Sequence, residues 1–178
     1  MRSAQVFTLL LLASGFSNGC GGGMADQVRS AARAGEAPED LVVTYDDYHT
    51  TWGGERLVLS ADRSLEMSRW RPGDPEDAPR VVSGSISAEA FEQTLQLLVD
   101  LEAWEQRIEE DEGRLDDARA RLTIAVGGDR TTIWEWRNDL EATRRIVRIK
   151  QQLEALAFDA RHPMMDDPDD PMGGDEAP

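Results

Sequence analysis

The stretch that decides the fold is residues 119–137, RARLTIAVGGDRTTIWEWR. Small or apolar residues alternate there with mostly polar ones: Ala120, Leu122, Ile124 and Val126 against Arg119, Arg121, Thr123 and Ala125. This alternation is typical of a β-strand with one buried face. Gly127-Gly128-Asp129 predicts a tight turn, because glycine readily adopts the positive φ that short hairpin loops require. Residues 130–137 then return as the partner strand of an antiparallel hairpin.

Further strands precede this hairpin. Alternating residues predict three of them, beginning at Leu41, Glu55 and Leu65. A short fourth strand over 80–86 is an option. Trp52-Gly53-Gly54 predicts the turn between the first two strands. Because each strand follows its neighbour after a short connection, we expect the sheet to be antiparallel.

Two helices complete the predicted domain. Ser87 is a good N-cap for a helix that runs to about Trp104 or a turn beyond. Its buried side carries Phe91, Leu95 and Leu98. A second helix, capped by Asn138 or Asp139, ends near Phe158. The order β-β-β-(β)-α-β-β-α predicts the α+β class: an antiparallel sheet of five to six strands with two helices on one face.

The composition limits the classes of function. The chain has 178 residues, with 35 Asp and Glu against 19 Lys and Arg, and a formal net charge of -16 at pH 7. This acidic balance argues against a nucleic-acid partner, because contacts to phosphates need a basic surface. The single cysteine, Cys20, excludes an internal disulfide framework and any zinc site built from several cysteines.

The first residues read as an export signal. Residues 1–19 begin with a positive charge and contain an apolar run over 6–13. That run is too short to span a bilayer, which takes about 20 apolar residues. Ser17-Asn18-Gly19 stands directly before Cys20. The pair Gly19-Cys20 resembles the lipobox of bacterial lipoproteins, although Ser17 occupies the place of the usual aliphatic residue.

This resemblance implies a lipid anchor on Cys20. In that family the cysteine is diacylated on sulfur, the signal is cut before it, and the new amine is acylated. Two or more acyl chains make such an anchor stable. No Asp follows Cys20, and by the sorting rule of two-membrane bacteria this implies the outer membrane, facing the periplasm. Two alternatives stay open: an ordinary secretory signal with an incidental cysteine, and a short uncleaved signal anchor.

Composition divides the remainder into three parts. Residues 20–40 are small and polar, which predicts a lipid-anchored flexible tether with, at most, a helical turn around 25–34. Residues 41–160 form the single α+β domain. Residues 161–178 are rich in proline and acid, so we expect a disordered acidic tail.

The residues that carry chemistry match no catalytic pattern. His49 and His162 are the two histidines, and the chain has no Gly-x-Ser-x-Gly, P-loop or dinucleotide motif. We therefore expect no enzyme, no catalytic residue and no cofactor. Asp46-Asp47 with His49 offers metal-ligand types, but a polar strand end explains it better because no further ligand lies at metal spacing. Calcium binding by the acidic loop 109–117 is an alternative, although that loop lacks the spacing of an EF-hand.

Tryptophan supplies the candidate binding surface. Trp134 and Trp136 lie two residues apart and project from the same side of their strand. We expect both to pack under the helices, because the other side of the strand is more polar. The alternative is an exposed aromatic platform for a glycan or peptide. Trp52 stands on a turn, where binding residues tend to lie. The candidate surface comprises Trp52, Gly53, Gly54, Trp134 and Trp136, with the turn Gly127-Gly128 beside them.

Several features over residues 41–157 recur together in one known layout: Gly53-Gly54 after the first strand, the helix begun by Ser87, a strand preceded by Asp117, and a last helix ending in Leu153 and Leu156. This layout resembles the emfourin-like inhibitors of thermolysin-type metalloproteases, and families of uncharacterised bacterial lipoproteins share it. The resemblance implies protease inhibition and assigns no inhibitory residue. We expect a lipid-anchored, non-catalytic module that binds an envelope protein or peptide, with protease inhibition and calcium binding as alternatives.

Overall fold

The computed structural model describes residues 23–108, 118–140 and 144–161. Several predicted features lie outside these ranges: the signal peptide 1–19, Cys20, the acidic loop 109–117 and the tail from His162 onward. Within the described ranges the chain forms one sheet with helices packed on it, which is the predicted α+β class.

The sheet has six strands, and all of its described pairings are antiparallel. The strands are β1 (Val42–Asp46), β2 (Gly54–Ser60), β3 (Ser64–Trp70), β4 (Arg80–Ser85), β5 (Arg119–Val126) and β6 (Asp129–Trp136). Their order across the sheet is β4-β3-β2-β1-β5-β6, so β1 lies in the middle, between β2 and β5. The predicted antiparallel sheet is confirmed, and the optional strand β4 is part of it.

The described helices are α1 (Met24–Ala34), α2 (Ala88–Asp100) and α3 (Arg145–Arg161), with a short 3-10 helix over Arg137–Asp139. Ser87 caps α2 as predicted, since its hydroxyl oxygen accepts a hydrogen bond from the Ala90 amide at 3.1 Å. Leu140 is already helical, as expected after Asp139, but Arg144 adopts a left-handed φ of 56°, so α3 itself begins at Arg145. Among the described residues, no helix has both the length and the apolar character needed to cross a membrane.

The helices cover one face of the sheet, where alternate strand residues are buried. The largest of these residues are Tyr45 of β1, Leu57 and Leu59 of β2, Leu65 of β3, Leu122 and Ile124 of β5, and Ile133 of β6. They pack in one hydrophobic cluster with Leu95 and Leu98 of α2 and with Ile146, Ile149 and Leu153 of α3. All three helices contribute to this cluster. The opposite face, here called the open face, is left without a helix among the described residues.

Helix α1 corrects the predicted domain boundary. The composition predicts a flexible tether over 20–40, but residues 24–34 form a helix whose buried side chains are Met24, Val28 and Ala31. These positions are four and three residues apart, so they share one side of the helix. That side packs against α2, β5 and β6 and belongs to the common core. The tether prediction is wrong for these residues, and a third helix joins the two expected ones.

The strand register gives the sheet two ends. Val42 at the start of β1 pairs with Ala125 of β5, so the β5–β6 turn Gly127-Gly128 lies beside it, and we call this the hairpin end. Asp46 at the other end of β1 pairs with Arg121, and there the β1–β2 turn through Trp52 lies; we call this the tryptophan end. β1 alone separates the two ends by about 13 Å. The predicted grouping of Trp52-Gly53-Gly54 with Gly127-Gly128 on one surface is therefore wrong.

Candidate functional site: the tryptophan end of the sheet

Trp52 is the most exposed tryptophan at this end. It stands at the tip of the β1–β2 turn with 60% of its surface exposed, as the sequence predicts. Its indole lies against the His49 ring, with ring centroids 6.4 Å apart and planes 24° from parallel. The turn is closed beneath it by backbone hydrogen bonds between His49 and Gly53, at 2.8 and 3.1 Å. A large apolar side chain is thus presented to solvent on an ordered turn.

Gly53 and Gly54 determine the shape of this turn and do not themselves provide a surface for a partner. Gly53 is buried, with φ of 67°, and a Cβ added to it would lie 2.5 Å from the Trp70 carbonyl oxygen. Gly54 has φ of 149°, and a Cβ there would lie 2.6 Å from the Asp47 carbonyl oxygen. Only glycine combines this backbone conformation with such close approach. The two glycines support Trp52 from below.

Asp47 ties the turn to the core. Its side chain is 1% exposed, and one carboxylate oxygen accepts a hydrogen bond from the Glu55 amide at 2.7 Å. The other oxygen accepts a hydrogen bond from the Tyr45 hydroxyl at 2.8 Å. The Asp47 amide also donates to the Glu55 carbonyl oxygen at 3.0 Å. A buried carboxylate needs such partners, because an unpaired charge inside a protein is costly.

Cations from two further elements neutralise this buried acid. Lys150 of α3 places its Nζ 2.7 Å from a Glu55 carboxylate oxygen and 3.6 Å from Asp47. Arg137, just after β6, lies 3.8 Å from Asp47. Its guanidinium also donates to the Gly53 carbonyl oxygen at 3.3 Å, which joins the Trp52 turn to the end of β6. Lys150 is the only lysine in a chain whose other basic residues are arginine.

The pKa values of three groups in this cluster, Glu55, Lys150 and Tyr45, are shifted away from neutrality. Burial alone would raise the pKa of Glu55, but the hydrogen bond and charge of Lys150 outweigh it and hold the pKa below its usual range. Burial alone would lower the pKa of Lys150, but Glu55 and then Asp47 outweigh it and raise that pKa. Burial, followed by the charge of Asp47, raises the pKa of Tyr45. These groups act as fixed charges and fixed donors, which suits a structural clamp.

Asp46, Asp47 and His49, which offer metal-ligand types in the sequence, do not converge on one point. Asp46 forms an ion pair with Arg56 at 2.6 Å, while Asp47 points into the core. The His49 Nδ1 accepts a hydrogen bond from the Thr51 amide at 3.1 Å. Across the described ranges, no three His, Cys, Asp or Glu side chains gather as metal ligands. The calcium hypothesis concerns 109–117, which lie outside those ranges.

Trp134 and Trp136 lie on the open face, so the expectation that they pack under the helices is wrong. Trp134 pairs with Arg121 and Trp136 with Arg119, whereas the intervening Glu135 faces the helices. The Arg119 guanidinium lies 4.5 Å from the Trp134 ring centroid and 4.9 Å from that of Trp136. The two indoles meet edge to face at 5.1 Å. Trp136 is only 4% exposed and Trp134 is half-buried.

Buried ion pairs explain why the polarity of the two sides of β6 does not indicate which side is buried. Glu135 is buried against the helices, where its carboxylate lies 3.4 Å from the Arg145 Nε. Arg145 also donates a hydrogen bond to the Glu105 carbonyl oxygen at 2.7 Å. Arg137, on the same side of the strand as Glu135, contacts Asp47. The more polar side of β6 is thus the buried one, since its charges meet partners from distant elements.

Residues that the sequence did not single out complete this end. The Gln106 side-chain amide accepts from the Trp134 backbone amide at 2.8 Å and donates to its carbonyl oxygen at 3.0 Å, as a neighbouring strand would. Trp70 is buried, and its indole nitrogen donates to the Glu76 carbonyl oxygen at 3.0 Å. Tyr48 packs on Trp70 at 4.8 Å between ring centroids. The loop over 71–79, which joins β3 to β4 and contains Glu76, therefore covers part of the open face.

The tryptophan end thus combines one exposed indole, a half-buried indole stacked with arginine, and a buried charge cluster that fixes the turn between them. No protein-family model matches the chain, and no curated protein matches it significantly.

Proposed function

We propose that this chain is a lipid-anchored lipoprotein of the bacterial cell envelope whose domain binds an envelope protein or peptide without catalysis. Cys20 holds it in the outer membrane, facing the periplasm. The lipobox-like Gly19-Cys20 after a short apolar segment supports the anchor. The observation that carries the binding role is Trp52, 60% exposed on a turn that glycine geometry and the buried Asp47 hold rigid.

The rigidity of this turn is the reason to assign it a binding role. Tryptophan and arginine dominate the energetic centres of protein interfaces, and a residue already held in place loses little entropy on binding. Trp52 is held by its closed turn, and Arg137 links that turn to β6. Trp134 and Arg119 extend the same end onto the open face. Mixed aromatic and arginine surfaces of this kind suit a protein or peptide partner.

The charge cluster supports a non-catalytic role. General acid–base catalysis works best with a group whose pKa lies near the working pH. At this end the pKa of Glu55 is lowered and the pKa values of Lys150 and Tyr45 are raised, so these three groups move away from neutrality. Burial and the hydrogen bond to Glu55 raise the pKa of the neighbouring Glu154, whose carboxylate is paired with Arg69. The carboxylate of Asp47 is enclosed by its own partners. These groups hold the turn, and the turn presents Trp52.

The partner is tested by affinity capture. The bait is the mature chain from residue 21, without the anchor, added to envelope extract, with mass spectrometry as the readout. Trp52→Ala is compared with Val81→Ala, because Val81 is similarly exposed, at 52%, and lies at the same end of the sheet but on the edge strand β4, three strands from β1. We expect the same protein to be recovered with the wild-type and Val81→Ala baits and lost with Trp52→Ala. Recovery that is equal with all three baits contradicts the assignment.

The anchor is tested separately. Membrane-extracted wild-type protein should carry the mass of a diacylglyceryl and an N-acyl group on the chain that begins at Cys20. Cys20→Ser should leave an unprocessed or unlipidated chain that no longer partitions with the outer membrane. A wild-type mass equal to that of the bare polypeptide contradicts lipidation.

Protease inhibition is the second candidate. The order of strands and helices on one antiparallel sheet is in line with the layout that resembles the emfourin-like inhibitors. Stoichiometric addition of the chain from residue 21 to a thermolysin-type peptidase should then abolish cleavage of a peptide substrate. Full activity at a several-fold molar excess of the chain removes this candidate and leaves the general binding role.

A further inference from the structure

The distance between the anchor and the folded domain is short. α1 begins at Met24, and both Met24 and Val28 are buried in the common core. Gly21, Gly22 and Gly23 are the residues between Cys20 and this helix. Four residue steps span at most about 14 Å when fully extended. A tether of this length cannot lift the domain far from the surface that holds Cys20.

The start of α1 lies near the hairpin end of the sheet. Gln27, in the first turn of α1, approaches the β5–β6 turn so closely that a Cβ on Gly127 would be 3.6 Å from its side-chain oxygen. The chain then returns to the same turn, because the Asp40 carboxylate accepts a hydrogen bond from the Gly127 amide at 2.7 Å. Gln27 is three residues after Met24, about 5 Å along the helix axis, so the anchored segment enters the domain within one helical turn of this contact.

The tryptophan end lies beyond the reach of the tether. β6 runs from Asp129 at the hairpin end to Trp136 at the tryptophan end. Its eight residues cover about 24 Å along the sheet, well over the span of three glycines. An anchor attached near Gly127 therefore holds one end of the sheet at the bilayer and leaves the other end away from it.

We propose that the hairpin end is a membrane-facing surface, with the lipid headgroups as its partner, and that the tryptophan end points away from the bilayer. This inference rests on the proposed lipidation of Cys20. The turns at the hairpin end are small and polar, Ala61–Arg63 and Gly127–Asp129, so they suit contact with headgroups and not insertion among acyl chains. Acidic and basic residues occur together there, so charge alone attracts this end only weakly to anionic headgroups. The short tether, and not charge, therefore sets the orientation.

This orientation limits the direction from which a partner can reach Trp52. A long flexible tether would let Trp52 reach partners on the membrane surface, whereas the proposed orientation keeps Trp52 away from that surface. The partner of Trp52 therefore approaches from the aqueous side. The hairpin end, by contrast, is not free to bind a second protein while the chain is anchored.

The test uses two labelled variants of the full lipidated protein. The sulfur of Cys20 is occupied by lipid, so Asp129→Cys at the hairpin end and Thr51→Cys beside Trp52 each supply the only free thiol. Each is labelled with a small fluorophore in vesicles of phosphatidylethanolamine and phosphatidylglycerol that contain a headgroup-quenching lipid. We expect several-fold stronger quenching for the label at 129. A second pair, Asp62→Cys and Asp77→Cys, repeats the comparison at the same two ends.

A matched control lengthens the tether. Insertion of a 20-residue Gly-Ser linker after Gly22, about 25 Å in average reach, should remove most of the difference between the two labels. Equal quenching with the natural tether, or stronger quenching near Trp52, overturns the proposed orientation. Intact mass is measured on the same samples. An unlipidated Cys20 overturns the proposed function as well, whereas a lipidated protein with equal quenching overturns the orientation alone.

Discussion

Two pairs of glycine turn the chain in this sheet, and they differ in what surrounds them. Gly53-Gly54 at the tryptophan end and Gly127-Gly128 at the hairpin end all have positive φ. A Cβ on either Gly53 or Gly54 would collide with backbone atoms at 2.5–2.6 Å. A Cβ on Gly127 would meet a side chain at 3.6 Å, and a Cβ on Gly128 would meet nothing within 4 Å. The same sequence signal thus marks one turn that is packed into the core and one that is open to solvent.

Each turn also has an aspartate that accepts a backbone hydrogen bond. Asp47 accepts from the Glu55 amide and Asp40 from the Gly127 amide, both at 2.7 Å. Asp47 is buried among Tyr45 and Lys150, whereas Asp40 is exposed. The two hydrogen bonds have the same length but should contribute differently to the free energy of unfolding. Water can replace a lost partner at the exposed Asp40 but not at the buried Asp47. Four substitutions should show how differently the two turns are held.

Asp47→Ala should cause the largest loss of stability. It leaves the Glu55 amide, the Tyr45 hydroxyl and part of the charge of Lys150 without their buried partner, which costs about 3–5 kcal/mol. Asp40→Ala removes one exposed hydrogen bond and should cost about 1 kcal/mol or less. Urea unfolding of both variants, followed by tryptophan fluorescence, gives the two free energies. Equal losses would show that the two turns are held in the same way.

Gly53→Ala should come next. The new Cβ must displace the Trp70 backbone and also strains a left-handed residue, for a cost of about 3 kcal/mol. Gly127→Ala meets only the backbone strain and should cost about 1 kcal/mol. Thermal unfolding of the pair measures the difference. A Gly127→Ala variant that is the less stable of the two would contradict the packing described for both turns.

Tyr45→Phe should change the response to alkali. Burial, and then the charge of Asp47, raises the pKa of Tyr45 above its value of about 10 in the unfolded chain. A raised pKa stabilises the folded state fully below pH 10, and this contribution is lost as the pH rises above that value. The loss is about 1.4 kcal/mol per pH unit for one such group.

The raised pKa of Lys150, caused by Glu55 and Asp47 acting against burial, adds to the same trend at higher pH. Unfolding free energies between pH 9 and 11 should therefore fall more steeply for the wild type than for Tyr45→Phe. Tyr48→Phe is the comparison variant, because Tyr48 is the only other tyrosine. Burial, followed by the charges of Glu76 and Asp74, raises the pKa of Tyr48 as well, but its hydroxyl donates to the Asp74 carbonyl oxygen and not to a buried carboxylate, so Tyr48→Phe should change this slope less than Tyr45→Phe. A slope that changes only in Tyr48→Phe would contradict the role of Tyr45.

Trp52→Ala should have the smallest effect on stability. The side chain is 60% exposed, so its removal should change the unfolding free energy by about 0.5 kcal/mol or less. The same substitution should weaken binding of the captured partner at least about tenfold, as expected for an aromatic anchor. Isothermal titration with that partner separates the two effects. A large loss of stability with unchanged affinity would make Trp52 part of the fold and not of the binding surface.

Much of the sheet follows from local pattern. The alternation of Leu122, Ile124 and Val126 predicts β5, and the hydroxyl of Ser87 predicts the start of α2; both agree with the structure. These features depend on residues close in sequence. α1 escaped prediction because its buried side consists of only Met24, Val28 and Ala31 among small and polar residues, and its packing surface comes from β5, β6 and α2.

The site depends more on distant partners, and the sequence predicts less of it. The exposure of Trp52 follows from its place on a turn. The face occupied by Trp134 does not follow, because Glu135 is buried together with Arg145, ten residues further along the chain. The role of Asp47 likewise needs Lys150, which the sequence offered only as the single lysine. Buried ion pairs reverse the usual link between polarity and exposure, so a pattern of polarity alone cannot identify them.

The central place of β1 has a consequence for folding during synthesis. β2, β3 and β4 can add to β1 one hairpin at a time, since each follows the strand it pairs with. The other side of β1 stays unpaired until β5 is available, because Val43 pairs with Ile124 about eighty residues later. Pairings between residues so distant in sequence form slowly. Until β5 is made, β1 is an unpaired edge that can join another chain. We expect a chain stopped after α2 to aggregate in light-scattering measurements, while the complete chain stays monomeric; a monomeric truncated chain would contradict this order of assembly.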